Sequence, residues 1–315
     1  MHFIKLIRPV NLAIIVFTMY GVRFYIQAVN YFQKIDDNRL DFFLLVFSTV
    51  LIAAAGNIIN DYFDVKADRI NKPEKLIITK HISRRWAILT HWTFNGIAFS
   101  IAIYLSIKYQ SLWFVFIHLL SINALWFYSM LFKRKILTGN LLIALLTALI
   151  PVLVVIYYKV GNTYHFGHSE FNQDSWVTII DYSVIYLLSI FAFIQNFARE
   201  IIKDIQDIKG DKLIYVKSLP MQIGQWNSLR IVSVILLILP IFYFWVSYSK
   251  INELIASTPF LIATIPFSIA ALINLLIVTL IYTDKTKRLK LYDALIKISM
   301  LFGVLATFYL AYFYL

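Results

Sequence analysis

The sequence predicts an all-α, polytopic membrane protein, and three observations carry that reading. Sixty per cent of the 315 residues are apolar and only 15% are charged, against about 25% charged in an ordinary soluble domain. Apolar runs of about 20 residues recur along the whole length, each long enough to cross a hydrocarbon layer of roughly 30 Å as a helix. Lysine and arginine are concentrated in alternate connections between those runs. The polar stretches are loop-sized, so no soluble domain fits, and residues 1–315 read as a single transmembrane domain.

Nine spans are expected, near residues 10–29, 42–60, 86–107, 111–131, 139–158, 182–198, 228–248, 259–281 and 293–314. The first follows a short basic N-terminus, "MHFIKLIRP", without a small-residue cleavage site, so it reads as a retained span rather than a removed signal. The second, "FFLLVFSTVLIAAAG", runs directly into the polar stretch "NIINDYFDVKADRINKPEK". Pro151, Pro240 and Pro266 fall inside the fifth, seventh and eighth spans, where membrane helices tolerate kinks if neighbours satisfy the freed carbonyls.

Orientation follows from the basic residues. The N-terminus and the connections after spans two, four, six and eight hold 21 Lys and Arg, the other four connections 5. This places the N-terminus in the cytoplasm of a cell (plasma) membrane protein, and the C-terminus outside. Topology and lipid headgroups account for the net charge of +12, so no nucleic-acid partner is implied. Cysteine is absent, which excludes disulfides, thiolate metal sites and a cysteine nucleophile.

The acidic residues cluster. Asn57, Asn60, Asp61, Asp64 and Asp68 share one helix face if the second span continues past the membrane surface. In "REIIKDIQDIKGDK", after the sixth span, Glu200, Asp204, Asp207 and Asp211 step by four, three and four, again one face. Stripes of like charge are unfavourable unless cations lie between them. Lys66, Arg69, Lys72, Lys203 and Lys209 ring the two stripes. Oxygen ligands without His or Cys favour a hard cation such as Mg²⁺. Carboxylates, Mg²⁺ and basic side chains together suit a diphosphate.

These motifs resemble the UbiA superfamily of intramembrane prenyltransferases. "NDYFDVKAD" is similar to its NDxxDxxxD signature, and Asp207 with Asp211 to its second motif, DxxxD. "LIRPVN" (6–11), "YSMLFKRKILTGN" (128–140) and "KSLPMQIG" (217–224) fit in order and spacing, and "REIIKDIxDIxGD" looks most like the digeranylgeranylglyceryl phosphate synthase branch, which builds ether lipids. The resemblance implies helices bundled around a central cavity, with Asn60, Asp61, Asp64, Asp68, Asp204, Asp207 and Asp211 holding Mg²⁺ on a prenyl diphosphate. Asp64, Asp68, Asp207 and Asp211 would be catalytic. Arg69, Lys133, Lys203, Arg8 and Asn11 would contact the diphosphate. Where the family usually continues NKPxRPLPSG this chain reads "NKPEKLIITK", so Lys75 replaces a bidentate arginine with a point charge. That departure spares the metal residues and bears on the acceptor.

The chemistry explains the pairing of charge with grease. Neutralising a diphosphate makes it a leaving group, and the allylic cation left behind must be kept from water. Aromatic faces can stabilise that cation, with Phe24, Tyr62, Trp126, Phe127, Tyr128, Phe193 and Phe197 as candidates. The expected partners are a polyprenyl diphosphate, geranylgeranyl in this branch, a lipid-like acceptor such as geranylgeranylglyceryl phosphate, and membrane lipids. Lys133, Arg134 and Lys135 are available to an acceptor phosphate. An aromatic acceptor in quinone biosynthesis is the alternative. A CDP-alcohol phosphotransferase lacks support because DGxxAR is absent. A cation-coupled transporter would need ionisable groups near mid-membrane, whereas both stripes lie at span ends. His165 with His168, on the outer side, and His118, within the fourth span, read as non-catalytic.

Because the native chain has no cysteine, Lys72→Cys, Lys212→Cys and Tyr164→Cys test the orientation. An impermeant thiol reagent on intact cells should label only the variant at Tyr164; labelling at Lys72 or Lys212 from outside would reverse the topology.

Overall fold

A computed structural model describes residues 2–29, 38–166, 176–212, 216–254 and 265–314. Among them all extended regular structure is helical, apart from a bridge between Ile78 and Ile82. A short helix, α1 (His2–Ile7), precedes α2 (Pro9–Val29). The break between them is local chemistry. A residue before proline is pushed out of the right-handed helical region, and Arg8 takes φ +56° while Pro9 opens the next helix.

The third helix, α3 (Arg39–Asn71), is capped by Asn38, whose side chain accepts from the amides of Leu40 and Asp41. Its 33 residues span about 50 Å at 1.5 Å per residue. That exceeds the hydrocarbon thickness, so the end carrying Asp61, Asp64 and Asp68 continues beyond the apolar run as one unbroken helix. Pro73 opens the 3₁₀ turn Pro73–Lys75 and ends it. Next come α4 (Arg84–Lys108), α5 (Trp113–Met130), the 3₁₀ turn Phe132–Arg134 and α6 (Thr138–Phe166). The second long helix, α7 (Trp176–Asp211), leads to α8 (Leu219–Ile223), α9 (Gln225–Leu254), α10 (Ile265–Asp284) and α11 (Leu289–Tyr314).

Seven segments among the described residues are long and apolar enough to cross a membrane. The last, Ile265–Tyr312, takes in both α10 and α11, and Gln225–Ile241 of α9 is a shorter apolar stretch. The chain is therefore an all-helical, multi-pass membrane protein. Its outward faces carry large apolar side chains such as Trp92, Ile107, Val234 and Leu272, as lipid contact requires.

The helices pack in a closed order. α3 lies against α4 and α5, α6 against α7, α7 against α9 and α11, α10 between α9 and α11, and α11 against α2, which returns to α6 and α3. One core joins α2, α3, α6 and α7 through Met19, Phe42, Tyr157 and Leu188. Another joins α7 to α9, α10 and α11 through Ile201, Leu229, Ile277 and Tyr292. Several polar side chains inside the bundle are paired, as a medium without water favours. His118 bonds Ser48 at 2.8 Å and the Phe114 carbonyl at 2.8 Å, which makes it a helix-packing residue as expected. Asp41, fully buried at the start of α3, meets Lys108 at 2.6 Å and the Tyr109 hydroxyl at 2.7 Å. The His165 side chain and His168 lie outside the described residues.

The two long helices touch at their C-terminal ends. Asn71 donates to the Asp207 carbonyl at 2.8 Å and accepts from the Gly210 amide at 2.7 Å. A methyl group on Gly210 would lie 2.6 Å from the Ala67 carbonyl oxygen and 2.5 Å from Asn71 Nδ2, so this close approach requires glycine. Gly210→Ala should therefore lower stability by about 1–3 kcal/mol, the usual range for overpacking. Thermal unfolding in detergent checks this, and an unchanged midpoint would show that the helix ends separate freely.

Candidate active site

The end of α3 presents its polar face one turn at a time. Asn57 donates to the Ile7 carbonyl at 3.0 Å, which seats α1 against the helix. Asn60 donates to Asp64 Oδ2 at 2.9 Å. Asp61 pairs with the Arg8 guanidinium at 2.5 Å, reached because the left-handed Arg8 turns out of the α1–α2 line. Asp64, only 6% exposed, pairs with Lys133 from the 3₁₀ turn after α5. Asp68, half-buried, completes the row.

The facing row on α7 is held by other elements. Asn140, in the first turn of α6, donates to Asp204 at 2.8 Å. Lys72, at the C-cap of α3, reaches Asp207 at 2.7 Å. Lys203 and Glu200 pair within the helix. The Asp211 carbonyl accepts from the Val216 amide at 3.1 Å, and the Lys217 amide bonds the Arg134 carbonyl at 3.0 Å. These bonds pin the chain after α7 to the α5–α6 turn. Gly139 lets that turn close on itself, since a Cβ there would sit 3.0 Å from the Phe132 carbonyl and 3.1 Å from the Tyr128 ring.

Electrostatics ties the rows together through the cations. Burial pulls the Lys133 ammonium down, but Asp64 beside it, with Tyr128 and Asp211 nearby, holds it well above its ordinary value. Burial likewise opposes charge on Arg8, and Asp61 more than offsets it. Both groups stay cationic at any working pH. Lys133 therefore sits between the stripes, in reach of Asp64 on α3 and Asp211 on α7.

Not every expected residue joins this cluster. Arg69, Lys66 and Lys209 are exposed on their helices, and no described contact brings them to the carboxylates. The reason is angular: Arg69 follows Asp68 by one residue, about 100° around the helix. Asn11 is half-buried in the first turn of α2, its amide bonded to the Arg8 carbonyl at 3.0 Å. Among the aromatics, Phe24 and Phe127 point outward, Tyr62 lies under Arg84, and Trp126 packs edge-on to Phe63. Tyr128 stands among Lys133, Glu200, Asp204 and Asp64. Phe193 and Phe197 stack at 5.8 Å and continue the Glu200–Asp204 face deeper into the bundle. Sequence reasoning overlooked Asn71 and Asn140, since a lone asparagine at a helix end carries no signal for a partner more than 60 residues away.

The donor set fits a hard cation. All its ligands are oxygen, and the Asn60 carbonyl oxygen is buried without a hydrogen-bond partner while its amide is spent on Asp64. No three acidic or histidine side chains among the described residues close on one point. Such a site suits Mg²⁺, which takes one or two carboxylates and completes its shell with substrate oxygens and water.

Paired carboxylate stripes with lysines between them, at one end of an apolar helical bundle, define a membrane protein with an acidic, metal-suited polar end. The chain belongs to the UbiA prenyltransferase family, which matches residues 14–301. It is 35% identical over 193 residues to the digeranylgeranylglyceryl phosphate synthase of Haloquadratum walsbyi, covering 61% of this chain and 59% of that one. It is 32% identical over 230 residues to the enzyme of that name from Thermococcus sibiricus, covering 73% and 71%. The fold resembles a solved structure of digeranylgeranylglyceryl phosphate synthase in membranes, with TM-score 0.61, 21% identity, and 98% and 97% of the two chains covered. It also resembles a UbiA homolog from Archaeoglobus fulgidus bound to GPP and Mg²⁺, with TM-score 0.54, 18% identity, and 98% and 99% covered.

Lys133→Met should leave the Asp64 carboxylate buried and unpaired, costing about 2–4 kcal/mol. Adding Asp64→Asn should recover most of that stability without recovering turnover. Unfolding midpoints and initial rates of the single and double variants check this; equal destabilisation in both would mean that the pair carries no net interaction.

Proposed function

We propose that this enzyme transfers a prenyl group, geranylgeranyl, from its diphosphate to geranylgeranylglyceryl phosphate, forming the second ether of a diether lipid. The observation that carries the reading is the meeting of the two stripes, with Lys133 on Asp64 and Lys72 on Asp207. The names of the relatives in Haloquadratum and Thermococcus support the acceptor, and the Archaeoglobus homolog's bound GPP and Mg²⁺ support the donor and the ion.

On this reading Asn60, Asp61, Asp64, Asp68, Asp204, Asp207 and Asp211 hold Mg²⁺ on the diphosphate. Bound Mg²⁺ supplies neutralisation of the charge that develops on the leaving group. Lys133 and Lys72 then release part of their hold on Asp64 and Asp207 to face diphosphate oxygens. The allylic C–O bond breaks with its electron pair going to the diphosphate. The acceptor hydroxyl oxygen bonds to that carbon and gives up its proton to the departing diphosphate. Phe193, Phe197 and Tyr128 wall the reacting carbon, keep water away and present ring faces to positive charge. Asn140 and Asn71 hold α6 and α3 against α7, so both rows keep their spacing.

We further propose nine crossings around a central cavity, in one domain over residues 1–315, with the N-terminus in the cytoplasm. The site then opens to the cytoplasmic face of the plasma membrane, where the bias of 21 basic residues to 5 supports it.

Purified protein with Mg²⁺, labelled prenyl diphosphates of several lengths and a panel of acceptors should yield digeranylgeranylglyceryl phosphate by mass. A prenylated aromatic ring as the product would replace the ether-lipid assignment. Exhaustive chelation should abolish turnover and Mg²⁺ restore it. Asp64→Asn and Asp207→Asn should each lose most of the rate, the double variant being little worse, because groups acting as a unit are non-additive. Near-normal turnover in either well-folded single variant would remove its stripe from the mechanism.

A further inference from the structure

The charges around the site divide into two unlike halves. Toward the ends of α3 and α7, five carboxylates (Asp64, Asp68, Asp204, Asp207, Asp211) meet two lysines, Lys72 and Lys133. Beside them, toward Arg8 and α11, the balance reverses. Four cations, Arg8, Arg199, Lys203 and Lys297, meet three carboxylates, Asp61, Glu200 and Asp293. Arg199 and Lys203 stand 3.9 Å and 2.5 Å from the same Glu200 oxygen, and the charge of Arg8 is felt at Lys203.

The acid-rich half needs metal and suits a metal-bound diphosphate. The basic half needs no metal and suits an anion of its own. Resting on the proposed reaction, and in place of the diphosphate contacts that the family resemblance implies for Arg8 and Lys203, we infer that Arg199 and Lys203, with Arg8, form a separate metal-free subsite for the phosphate monoester of the acceptor. Such a phosphate carries about −1.5 to −2 charges at neutral pH.

Geometry and chemistry agree on this placement. In geranylgeranylglyceryl phosphate the reacting hydroxyl is on the carbon next to the one bearing phosphate, so the two groups lie roughly 5 Å apart. The phosphate must then sit close to the donor diphosphate, where two anions would repel unless each had its own cations. Arg8 pairs with Asp61, one turn before Asp64, and Lys203 lies one turn before Asp207, so the subsite adjoins the diphosphate half.

Arg199 is oriented for the task. Its Nε bonds Asp293 on α11 at 2.7 Å, and Lys297 holds the other carboxylate oxygen of Asp293 at 2.7 Å. Its Nη1 stands 3.9 Å from Glu200, beyond hydrogen-bond reach. The terminal nitrogens thus make no hydrogen bond among the described residues, and in this side chain, only 11% exposed, their donors are left for a tetrahedral oxyanion to take. Asp293 acts as a positioning residue.

The test compares geranylgeranylglyceryl phosphate with its dephosphorylated counterpart, geranylgeranylglycerol, at saturating geranylgeranyl diphosphate. Arg199→Met keeps Asp293 paired with Lys297, and Lys203→Met is combined with Glu200→Gln so that no buried carboxylate is stranded. Each should raise KM for the phosphorylated acceptor by about 10- to 100-fold, the scale of a charged hydrogen bond. KM for the diphosphate should stay within about twofold, and the preference for the phosphorylated acceptor should collapse. Arg199→Lys should recover little, because a point charge lacks the fork. Binding of geranylgeranylglyceryl phosphate in EDTA, by calorimetry in detergent, reads the subsite without turnover. Metal-free binding in the native protein that both variants lose supports the inference, even if another acceptor is the one consumed and the proposed reaction falls. A raised diphosphate KM, equal losses on both acceptors, or no metal-free binding by the native protein would overturn it.

Discussion

Repulsion between two facing rows of carboxylates is the constraint around which the polar end of this bundle, where α3 and α7 finish, is built. Two like charges about 5 Å apart repel by roughly 3 kcal/mol at an effective dielectric near 20, and each row carries several. The rows can be brought together only if cations come with them. Lys133 is delivered by the turn after α5 and Lys72 by the end of α3 itself. With those two in place, neutral clamps can hold the helix ends: Asn71 on the α7 backbone and Asn140 on Asp204. The glycine at 210 permits the contact, and the lysines make it tolerable.

The same arrangement explains why the helix ends are long. Carboxylates within a hydrocarbon layer are costly, so α3 and α7 carry theirs in turns that follow the apolar runs. Those turns remain helical because the rows need the 3.6-residue repeat to stay aligned. Below them the polarity falls in steps, from aspartates to Glu200 and then to the stacked Phe193 and Phe197. A substrate with an anionic head and an apolar tail would find matching surroundings along one helix face.

Charge is also graded sideways. The α3 and α7 ends carry an acidic excess, whereas the α7–α11 contact, with Arg8 within its electrostatic field, carries a basic one. A single phosphate-bearing substrate would need only one such environment. Two environments side by side make sense for two anionic partners that must approach within a few ångströms, one with metal and one without.

By itself the sequence determined whatever depends on neighbours along the chain. Apolar runs separated by short polar connections specify membrane helices, Asn38 and Pro73 mark the limits of α3, and the spacing of aspartates puts each row on one face. The family resemblance, through "YSMLFKRKILTGN" and "LIRPVN" rather than through any periodicity, nominated Lys133 and Arg8. Tertiary structure decided the pairings. That Lys133 rather than Arg69 meets Asp64, that Asn140 holds Asp204, and that Arg199 is tied to α11 through Asp293 all join residues between 64 and 94 positions apart. Helical phase explains Arg69, which one residue of offset turns outward. No local pattern encodes the others, because such contacts exist only once the helices have packed and left those side chains no other partner within reach.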